Sequence, residues 1–132
     1  MNPIQALDEM ECWERLEAGR FGRLAYHLTD QVHIVPINYA VGSGHRLLFR
    51  TSEGSKLLGV VMNADVAFEV DDLVDQRAWS VVARGQARWV EGQEGRDANA
   101  LLGRPWVDAP KHNIVAIDVT EVTGRAFDLD RP

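Results

Sequence analysis

A long apolar segment, Ala78–Val90, constrains the possible folds of this chain more than any other part of its sequence. Its residues alternate as in a strand that carries apolar side chains on both faces, and Gly85 stands near its middle. A glycine inside such a pattern indicates a β-bulge or a sharp bend. A long strand that bends there can serve two sides of a barrel, and closing a sheet removes its exposed edges.

Shorter strand-like segments lie before and after this one, separated by turns such as Gly42-Ser43-Gly44. Pro36 falls inside one of them and cannot donate a ladder hydrogen bond, which predicts an edge, a bulge or an irregular point. This hairpin-rich order favours one α+β, mostly β domain over residues 1–132, built as an antiparallel barrel with short flanking helices. The predicted strands are Arg23–His27, Val32–Val41, Arg46–Thr51, Asp65–Asp71 and the final region His112–Phe127.

Three short helices are expected between the strands. The first follows a capping-box pattern, with Asp8 as the cap and Glu11 three residues later, and Gly19 ends it. Cys12 is interpreted as a small buried side chain on its apolar face, because a single cysteine cannot form an internal disulfide. The other two helices are predicted at 55–62 and Glu94–Leu102.

Apolar residues on both faces of a strand require two covers. In the predicted strand Val32–Val41, one face carries Val32 and Ile34, whereas the other carries Val35, Ile37 and Tyr39. One face can fill the barrel, and a second subunit is the simplest cover for the other. We therefore expect a homodimer, and we select Val81 as a position at its interface.

Charge and hydropathy exclude several classes of protein. The net charge of −6 argues against a general nucleic-acid partner, although it does not exclude one small anion in a local basic pocket. No apolar stretch is long enough to span a membrane, and no secretory leader pattern opens the sequence. We therefore expect a cytoplasmic protein without a membrane or nucleic-acid partner.

One cluster of basic and hydroxyl side chains predicts an anion site. Arg50, Thr51 and Ser52 end a predicted strand, and Ser55 and Lys56 open the helix that follows. A helix start attracts anions, and these side chains add charge and donors suited to a phosphate monoester. The alternative is that Arg50 and Lys56 are solvated and that Ser52 or Ser55 only caps the helix.

Other catalytic and binding motifs are weak or missing. The four histidines show no metal-ligand spacing, although His27 and His33 are candidates for cross-strand neighbours. The sequence contains neither a Walker phosphate loop nor the G-x-G-x-x-G dinucleotide fingerprint. No metal site, P-loop or Rossmann site is therefore predicted.

The order of the remaining motifs resembles the split-barrel flavin-binding proteins related to pyridoxamine 5'-phosphate oxidase, especially their small bacterial members. The likeness runs from about residue 8 to residue 127, and it is carried by the order and spacing of the motifs rather than by any single one. The matching segments are Gly19–Ala25, Ile34–Tyr39, Leu48–Thr51, Ser55–Leu57, Val66–Asp71, Trp79–Gly85, Pro105–Trp106 and Val122–Arg125.

The resemblance implies an antiparallel split β-barrel homodimer with two flavin mononucleotide (FMN) sites at the subunit interface. By this resemblance, the phosphate is held by the Arg50 and Lys56 cluster, whereas Trp79 and Ser80 come from the partner chain. The segment along the flavin ring consists of Val35, Pro36, Ile37 and Asn38. An irregular strand at Pro36 leaves backbone groups free to bond a ligand, and the amide of Asn38 can both donate to and accept from the pyrimidine edge.

For three of these residues, a purely structural role is an alternative to flavin binding. Without the resemblance, Trp79 is more typical of a core or interface aromatic residue than of a flavin contact. Asn38 is also typical of an amide that the backbone satisfies. Trp106, which lies in a proline-rich loop, either covers the flavin pocket or packs on the barrel.

Two classes of function fit the sequence. The first is a flavin-dependent oxidoreductase, in which the protein binds and tunes the ring while the cofactor carries the redox chemistry. The second is a non-catalytic flavin-binding or flavin-sensing module, or a relative that uses the deazaflavin coenzyme or haem. The fold alone does not separate these classes, because function depends on the site.

Overall fold

The computed structural model describes residues 4–52, 64–103 and 112–129 of the chain. Within these ranges it contains eight strands and two helices. The strands are β1 (Gln5–Leu7), β2 (Phe21–Leu28), β3 (Gln31–Asn38), β4 (Ala40–Gly42), β5 (Arg46–Ser52), β6 (Ala64–Val74), β7 (Arg77–Val90) and β8 (His112–Asp128). The helices are α1 (Glu9–Ala18) and α2 (Gly92–Leu102), and the helix predicted at 55–62 lies outside the described residues.

All eight strands form one antiparallel sheet in the order β3-β2-β6-β7-β8-β5-β4, with β1 pairing with β8 outside this path. The two strands at opposite ends of the order, β3 and β4, are separated in sequence by Tyr39 alone. The sheet must therefore curl until its two ends meet at this residue. The mostly β antiparallel architecture with short helices is confirmed, as a curled half-barrel in which β3 and β4 are not paired with each other.

Tyr39 explains why the single strand predicted at Val32–Val41 is in fact two strands. Its hydroxyl donates a 2.6 Å hydrogen bond to the carbonyl of Leu16 in α1, and its backbone N–H donates to the carbonyl of Arg20. The side chain is 4% exposed, and burial raises the pKa of Tyr39 to about 12. These bonds, to α1 and to the connection that follows it, replace the strand ladder at the corner of the sheet.

Gly85 bends β7 as the sequence predicts. The pairing of β7 with β8 shifts between Arg84, which faces Glu121, and Gly85, which faces Val119. A Cβ atom at position 85 would lie 2.1 Å from the carbonyl oxygen of Asp118, so only glycine permits this approach. β7 pairs with β6 along one edge and with β8 along the other, which makes it the centre of the curled sheet.

The N-terminal helix α1 forms as predicted. The Asp8 side chain accepts from the N–H of Glu11 at 2.8 Å, and Glu11 accepts from the N–H of Asp8, which completes the capping box. Cys12 and Leu16 are fully buried against the sheet, and Gly19 is the C-terminal cap. This amphipathic helix covers part of the inner face of the sheet.

The inner face of the curled sheet holds the hydrophobic core. Phe49, Phe68 and Val81 are each at most 1% exposed and belong to this core cluster. Val81 is therefore a core residue, and its selection as an interface position is wrong. A second, smaller cluster lies beneath α2, where Ala98 packs with Leu48 and Val90.

The opposite side of the sheet, which we call the outer face, is set by the cross-strand register, because directly paired residues share a face. Ile34 pairs with Ala25 and is 66% exposed, and Val32 is 69% exposed. No described residue covers these side chains. The register assigns to the outer face Phe21, Arg23, Ala25, Val32, Ile34, Pro36, Asn38, Ala67, Glu69, Asp71, Ser80, Val82 and Arg125.

Candidate functional site

The guanidinium of Arg50 lies beneath the C-terminal end of α2. Its Nη2 atom donates to Oδ1 of Asn99 at 2.7 Å and to the carbonyl oxygen of Gly103 at 2.6 Å. Its Nη1 atom is buried and has no hydrogen-bond partner among the described residues. Burial lowers the pKa of Arg50, but a guanidinium remains charged at neutral pH. One side of this cation is thus anchored, and the other side lacks an acceptor among the described residues.

The pleat of β5 directs Arg50 and Thr51, adjacent members of the predicted anion cluster, to opposite sides of the strand. Successive residues of β5 face opposite sides, so Leu48 and Arg50 face α2, whereas Phe49 and Thr51 face the inner side. Thr51 is 3% exposed, and its hydroxyl has no partner among the described residues. The two side chains therefore do not converge from one face of the strand.

The structure describes no side chain for four other members of the predicted site. Ser52 ends β5, and its backbone pairs with His112 of β8. Ser55 and Lys56, which complete the predicted phosphate cluster, lie outside the described residues, and so does Trp106. The roles of these four side chains stay predictions.

A groove next to the end of α2 contains Asn38. Its volume is about 690 Å³, and Gly103, whose carbonyl binds Arg50, contributes to its wall. Gly103 thus links the groove to the guanidinium, which does not itself line the groove. Its lining is completed by Glu17, Gly19, Arg20, Tyr39, Ala40, Val41, Gly42, Ser43, Leu101 and Leu102.

The segment Val35, Pro36, Ile37 and Asn38 forms the last half of β3, at one end of the sheet order. Val35 and Ile37 pack on the core, whereas Pro36 and Asn38 belong to the outer face. In the described chain β3 pairs with β2 only, so the backbone groups on its other edge have no strand partner. Pro36 is thus on an edge strand, as predicted, and this edge offers backbone donors and acceptors to a ligand.

Trp79 and Ser80 lie on opposite faces of β7. Trp79 packs against the core, and the guanidinium of Arg15 lies 4.7 Å from the centre of its ring. Ser80 pairs with Asp71 and with Arg125 on the outer face. Only Ser80 therefore shares a face with Asn38 within one chain.

A second cleft, of about 570 Å³, contains Trp79 at its wall. Gly19 and Arg20 line both this cleft and the groove that contains Asn38. The two recesses therefore meet at the connection between α1 and β2. Asp71 and Asp72 of β6 also line the second cleft, and Asp72 pairs directly with Trp79.

A charged cluster stands within the apolar outer face. Arg23 of β2 contacts Glu69 at 2.9 Å and Asp71 at 2.6 Å, both on β6. Burial, together with the hydrogen bond and the charge of Asp71, raises the pKa of Glu69 to about 7. The pKa of Asp71 is lowered, first by its hydrogen bond with Glu69 and then by Arg23. The pair of carboxyl groups therefore shares a proton readily near neutral pH.

Histidine geometry gives no support to a metal site. His33 pairs with Tyr26 and stacks on its ring at 5.2 Å, whereas His27 pairs with Val32. His27 and His33 are thus offset by one position and face opposite sides, so they are not direct cross-strand neighbours. Within residues 4–52, 64–103 and 112–129 no group of three potential ligands could hold a metal ion.

Membrane insertion by a helix has no support either. No helix within the described ranges combines the length and the apolar character needed to cross a bilayer.

Sequence reasoning missed the residues that hold Arg50 in place. Asn99 and Gly103 are far from Arg50 in sequence, and an asparagine near a helix end ordinarily indicates a cap. Gly103 has φ +68°, a conformation typical of glycine at a helix C-terminus, so a helix end there is readable from sequence. Its contact with Arg50 depends on where α2 packs on the sheet, which no local pattern reveals.

Comparison with known proteins agrees with this architecture. A solved structure described as an FAD binding protein from Mycobacterium smegmatis is 35% identical, with a TM-score of 0.86 over 96% of this chain and 100% of that chain. A conserved protein of unknown function from Corynebacterium diphtheriae is 42% identical, with a TM-score of 0.81 over 96% and 99% of the two chains. An FAD-binding protein from Mesorhizobium loti is 27% identical, with a TM-score of 0.79 over 95% and 99%.

The family described as pyridoxamine 5'-phosphate oxidase matches residues 8–126, which is most of the chain. This range agrees with the extent of the likeness that the sequence motifs indicate. The chain therefore belongs to the pyridoxamine 5'-phosphate oxidase family.

Proposed function

We propose that this chain binds a flavin nucleotide beside α2, with Arg50 holding a phosphate group, and that it works as a flavin-dependent oxidoreductase. The observation that carries the proposal is the buried Nη1 atom of Arg50, a charged donor without a partner among the described residues. A buried donor of this kind is costly unless an acceptor reaches it. A phosphate oxygen is the acceptor that suits a guanidinium best.

The groove beside Arg50 supports the placement of the flavin ring. Its volume, about 690 Å³, falls within the range of about 300–1,000 Å³ that is usual for small-molecule sites. Asn38 on its wall offers an amide to the pyrimidine edge of the ring, and the unpaired edge of β3 offers backbone groups. Pro36 removes one donor from that edge, which favours a carbonyl-rich contact surface there.

A bound flavin supplies the electron-transfer chemistry, and this chain supplies binding and orientation. Arg50 fixes the phosphate end, and Asn38 fixes the orientation of the polar edge of the ring. Tyr39 is buried and hydrogen-bonded to α1, so the corner that carries Asn38 is rigid. No described side chain needs to act as an acid or a base in this proposal.

The choice between flavin nucleotides is open to direct measurement. The sequence predicts FMN, because the Arg50 cluster accounts for one phosphate. Two relatives, 35% and 27% identical, are described as FAD-binding, and this supports FAD as the ligand of this chain as well. We expect FAD to bind at least as tightly as FMN.

We further propose that two chains form a homodimer that shares each flavin site. The exposed apolar side chains of the outer face support this, because Val32 and Ile34 lie on the strand that carries Asn38. Ser80 also lies on the outer face, so a partner's Ser80 is able to approach the groove across the interface. Trp79 is directed to the inner side of its own chain and contributes less to this argument.

Titration with flavins tests the binding proposal. Arg50→Ala should weaken binding of FMN and FAD about 10- to 100-fold, because a charge-assisted bond contributes roughly 1.5–3 kcal/mol. Riboflavin, which lacks the phosphate, should bind more weakly than either nucleotide and should be insensitive to this substitution. Arg77→Ala serves as the control, because Arg77 is bonded to Asp128 in the turn region and lies outside the groove. Equal affinity for riboflavin and both nucleotides would overturn the proposal.

A second measurement separates the enzyme from a flavin carrier. Flavin-loaded protein is mixed anaerobically with a nicotinamide reductant, and the visible absorbance is followed before and after air is admitted. Bleaching that reverses in air supports the oxidoreductase. A flavin that binds tightly but stays oxidised supports the non-catalytic module instead.

A further inference from the structure

We infer that Asn99 and the C-terminal end of α2 form a positioning device that turns one side of Arg50 towards the flavin phosphate and thereby sets the preference for phosphorylated flavins. The inference rests on the proposed flavin function. By this inference, Asn99 controls the affinity for the flavin phosphate without having to touch the cofactor. Three observations carry it.

The first observation is that the two terminal nitrogen atoms of the Arg50 guanidinium differ in their hydrogen bonds. Among the described residues, Nη2 makes the hydrogen bonds of the Arg50 side chain: to Oδ1 of Asn99, to the carbonyl of Asn99 at 3.3 Å and to the carbonyl of Gly103. Nη1 is buried but makes none within the described part of the chain. A planar guanidinium that is gripped on one side has its other donors fixed in direction.

The second observation is that α2 is itself firmly anchored. Near its N-terminus, Glu94 accepts from Arg46 at 2.6 Å and from Arg88 at 2.7 Å, and Arg88 also contacts Asp118 of β8 at 2.6 Å. Its buried side packs Ala98 and Leu102 on the smaller core cluster. Because both the N-terminal end and the underside of the helix are fixed, its C-terminal end presents acceptors to Arg50 at a defined place.

The third observation is electrostatic. The C-terminal end of a helix carries a partial negative charge on its unpaired carbonyl groups, which repels a phosphate. Arg50 is bonded to the carbonyl groups of this end, so its charge offsets that repulsion where a phosphate approaches. Without the hydrogen bond to Asn99, the Arg50 side chain can adopt other rotamers. Ordering it when the phosphate binds then costs conformational entropy and weakens binding.

The test compares nucleotide and riboflavin affinities in Asn99→Leu. Leucine removes the side-chain acceptor and is a better helix former than asparagine, so the helix is not weakened. We expect the FMN-to-riboflavin affinity ratio to fall about fivefold to tenfold, with riboflavin affinity unchanged. Gln93→Leu makes the same kind of change on the exposed side of α2, away from Arg50, and should leave the ratio unchanged.

A double-mutant cycle gives a readout that a merely structural role would not move. In an Arg50→Ala background, Asn99→Leu should have no further effect on the ratio, because its influence passes through Arg50. An unchanged ratio, a raised ratio or equal losses for FMN and riboflavin in Asn99→Leu would overturn the inference. These outcomes are distinct from failure of the proposed function, which is seen when the unsubstituted protein shows no preference for phosphorylated flavins.

Discussion

The inner and outer faces of the curled sheet carry similar apolar side chains but differ in what covers them. On the inner face, Phe68 and Leu24 are at most 2% exposed, because α1 and the curl of the sheet enclose them. On the outer face, Ile34 and Val32 are 66% and 69% exposed, on a strand adjacent to that of Leu24. The described chain therefore covers one face of its sheet and leaves apolar side chains on the other face exposed.

The two faces also differ in how many polar and charged side chains they carry. Thr51 is the only buried polar side chain among the described core residues, whereas the outer face carries Arg23, Glu69 and Asp71 in one cluster. An exposed apolar patch with polar residues beside it is typical of an interaction site. The outer face therefore resembles an interface, and the inner face resembles a monomer core.

The largest expected effect separates the faces by their contribution to folding. Phe68→Ala on the inner face should lower the free energy of unfolding by about 3–5 kcal/mol, because it removes a fully buried ring. Ile34→Ala on the outer face should change the stability of the isolated chain by no more than about 0.5 kcal/mol. Urea unfolding at a protein concentration that keeps the chain monomeric measures both. Similar losses for the two variants would remove the distinction between the faces.

The next effect concerns association. Ile34→Asp places a charge among exposed apolar side chains, so it should raise the dissociation constant of the proposed homodimer about a hundredfold, or about 2.7 kcal/mol. The fold should survive, since the side chain is exposed in the single chain. Sedimentation measures the change in assembly, and Gln93→Asp on α2 is the matched control.

Val81→Asp is the instructive contrast with Ile34→Asp. Val81 is fully buried, so a charge there should unfold the chain instead of dissociating a folded dimer. Circular dichroism of the separated monomers distinguishes the two results. A dimer unaffected by Ile34→Asp would show that the outer face is not where two chains meet.

The smallest effect is a pH dependence of the folding stability that arises from the cluster of Arg23, Glu69 and Asp71. The pKa of Glu69 is raised to about 7 in the folded chain, first by burial and then by Asp71. A carboxyl group that binds its proton more tightly when folded stabilises the fold fully below its unfolded pKa of 4.5 and loses that contribution as the pH rises towards 7. The opposite shift of Asp71 acts at lower pH, as protonation approaches its lowered pKa.

Glu69→Gln removes this titration while keeping the size of the side chain. The stability of the unsubstituted chain relative to Glu69→Gln should therefore fall by on the order of 1 kcal/mol between about pH 5 and about pH 8. Urea unfolding of both proteins across that range gives the difference directly. A constant difference, or one that grows with pH, would contradict the raised pKa.

Local chemistry accounts for the features that the sequence predicted well. Pro36 lies on an edge strand because it lacks a donor, and Gly85 forms the bulge because a side chain would collide with the carbonyl of Asp118. The capping box of Asp8 and Glu11 is likewise complete within four residues. Each of these follows from the residue itself and its nearest neighbours.

Long-range contacts account for the features that the sequence did not predict. Tyr39 breaks its strand because a helix carbonyl more than twenty residues earlier accepts from its hydroxyl. Arg50 was readable as a cation suited to phosphate, but its grip by Asn99 required the packing of α2. Alternation shows that two faces of a strand differ, yet it does not say which is inside, and Val81 was assigned to the wrong one for that reason.

The pairing of β1 with β8 has a consequence for how the protein is made. Gln5 pairs with Ala126, and Leu7 pairs with Gly124, so β1 cannot pair until a strand far behind it in the sequence has been synthesised. Contacts this distant in sequence slow folding, because a long loop must close before they form. Until β8 emerges, the edge of β7 that it covers is exposed to other nascent chains on the same message. Synthesis therefore sets the earliest moment at which this sheet is complete.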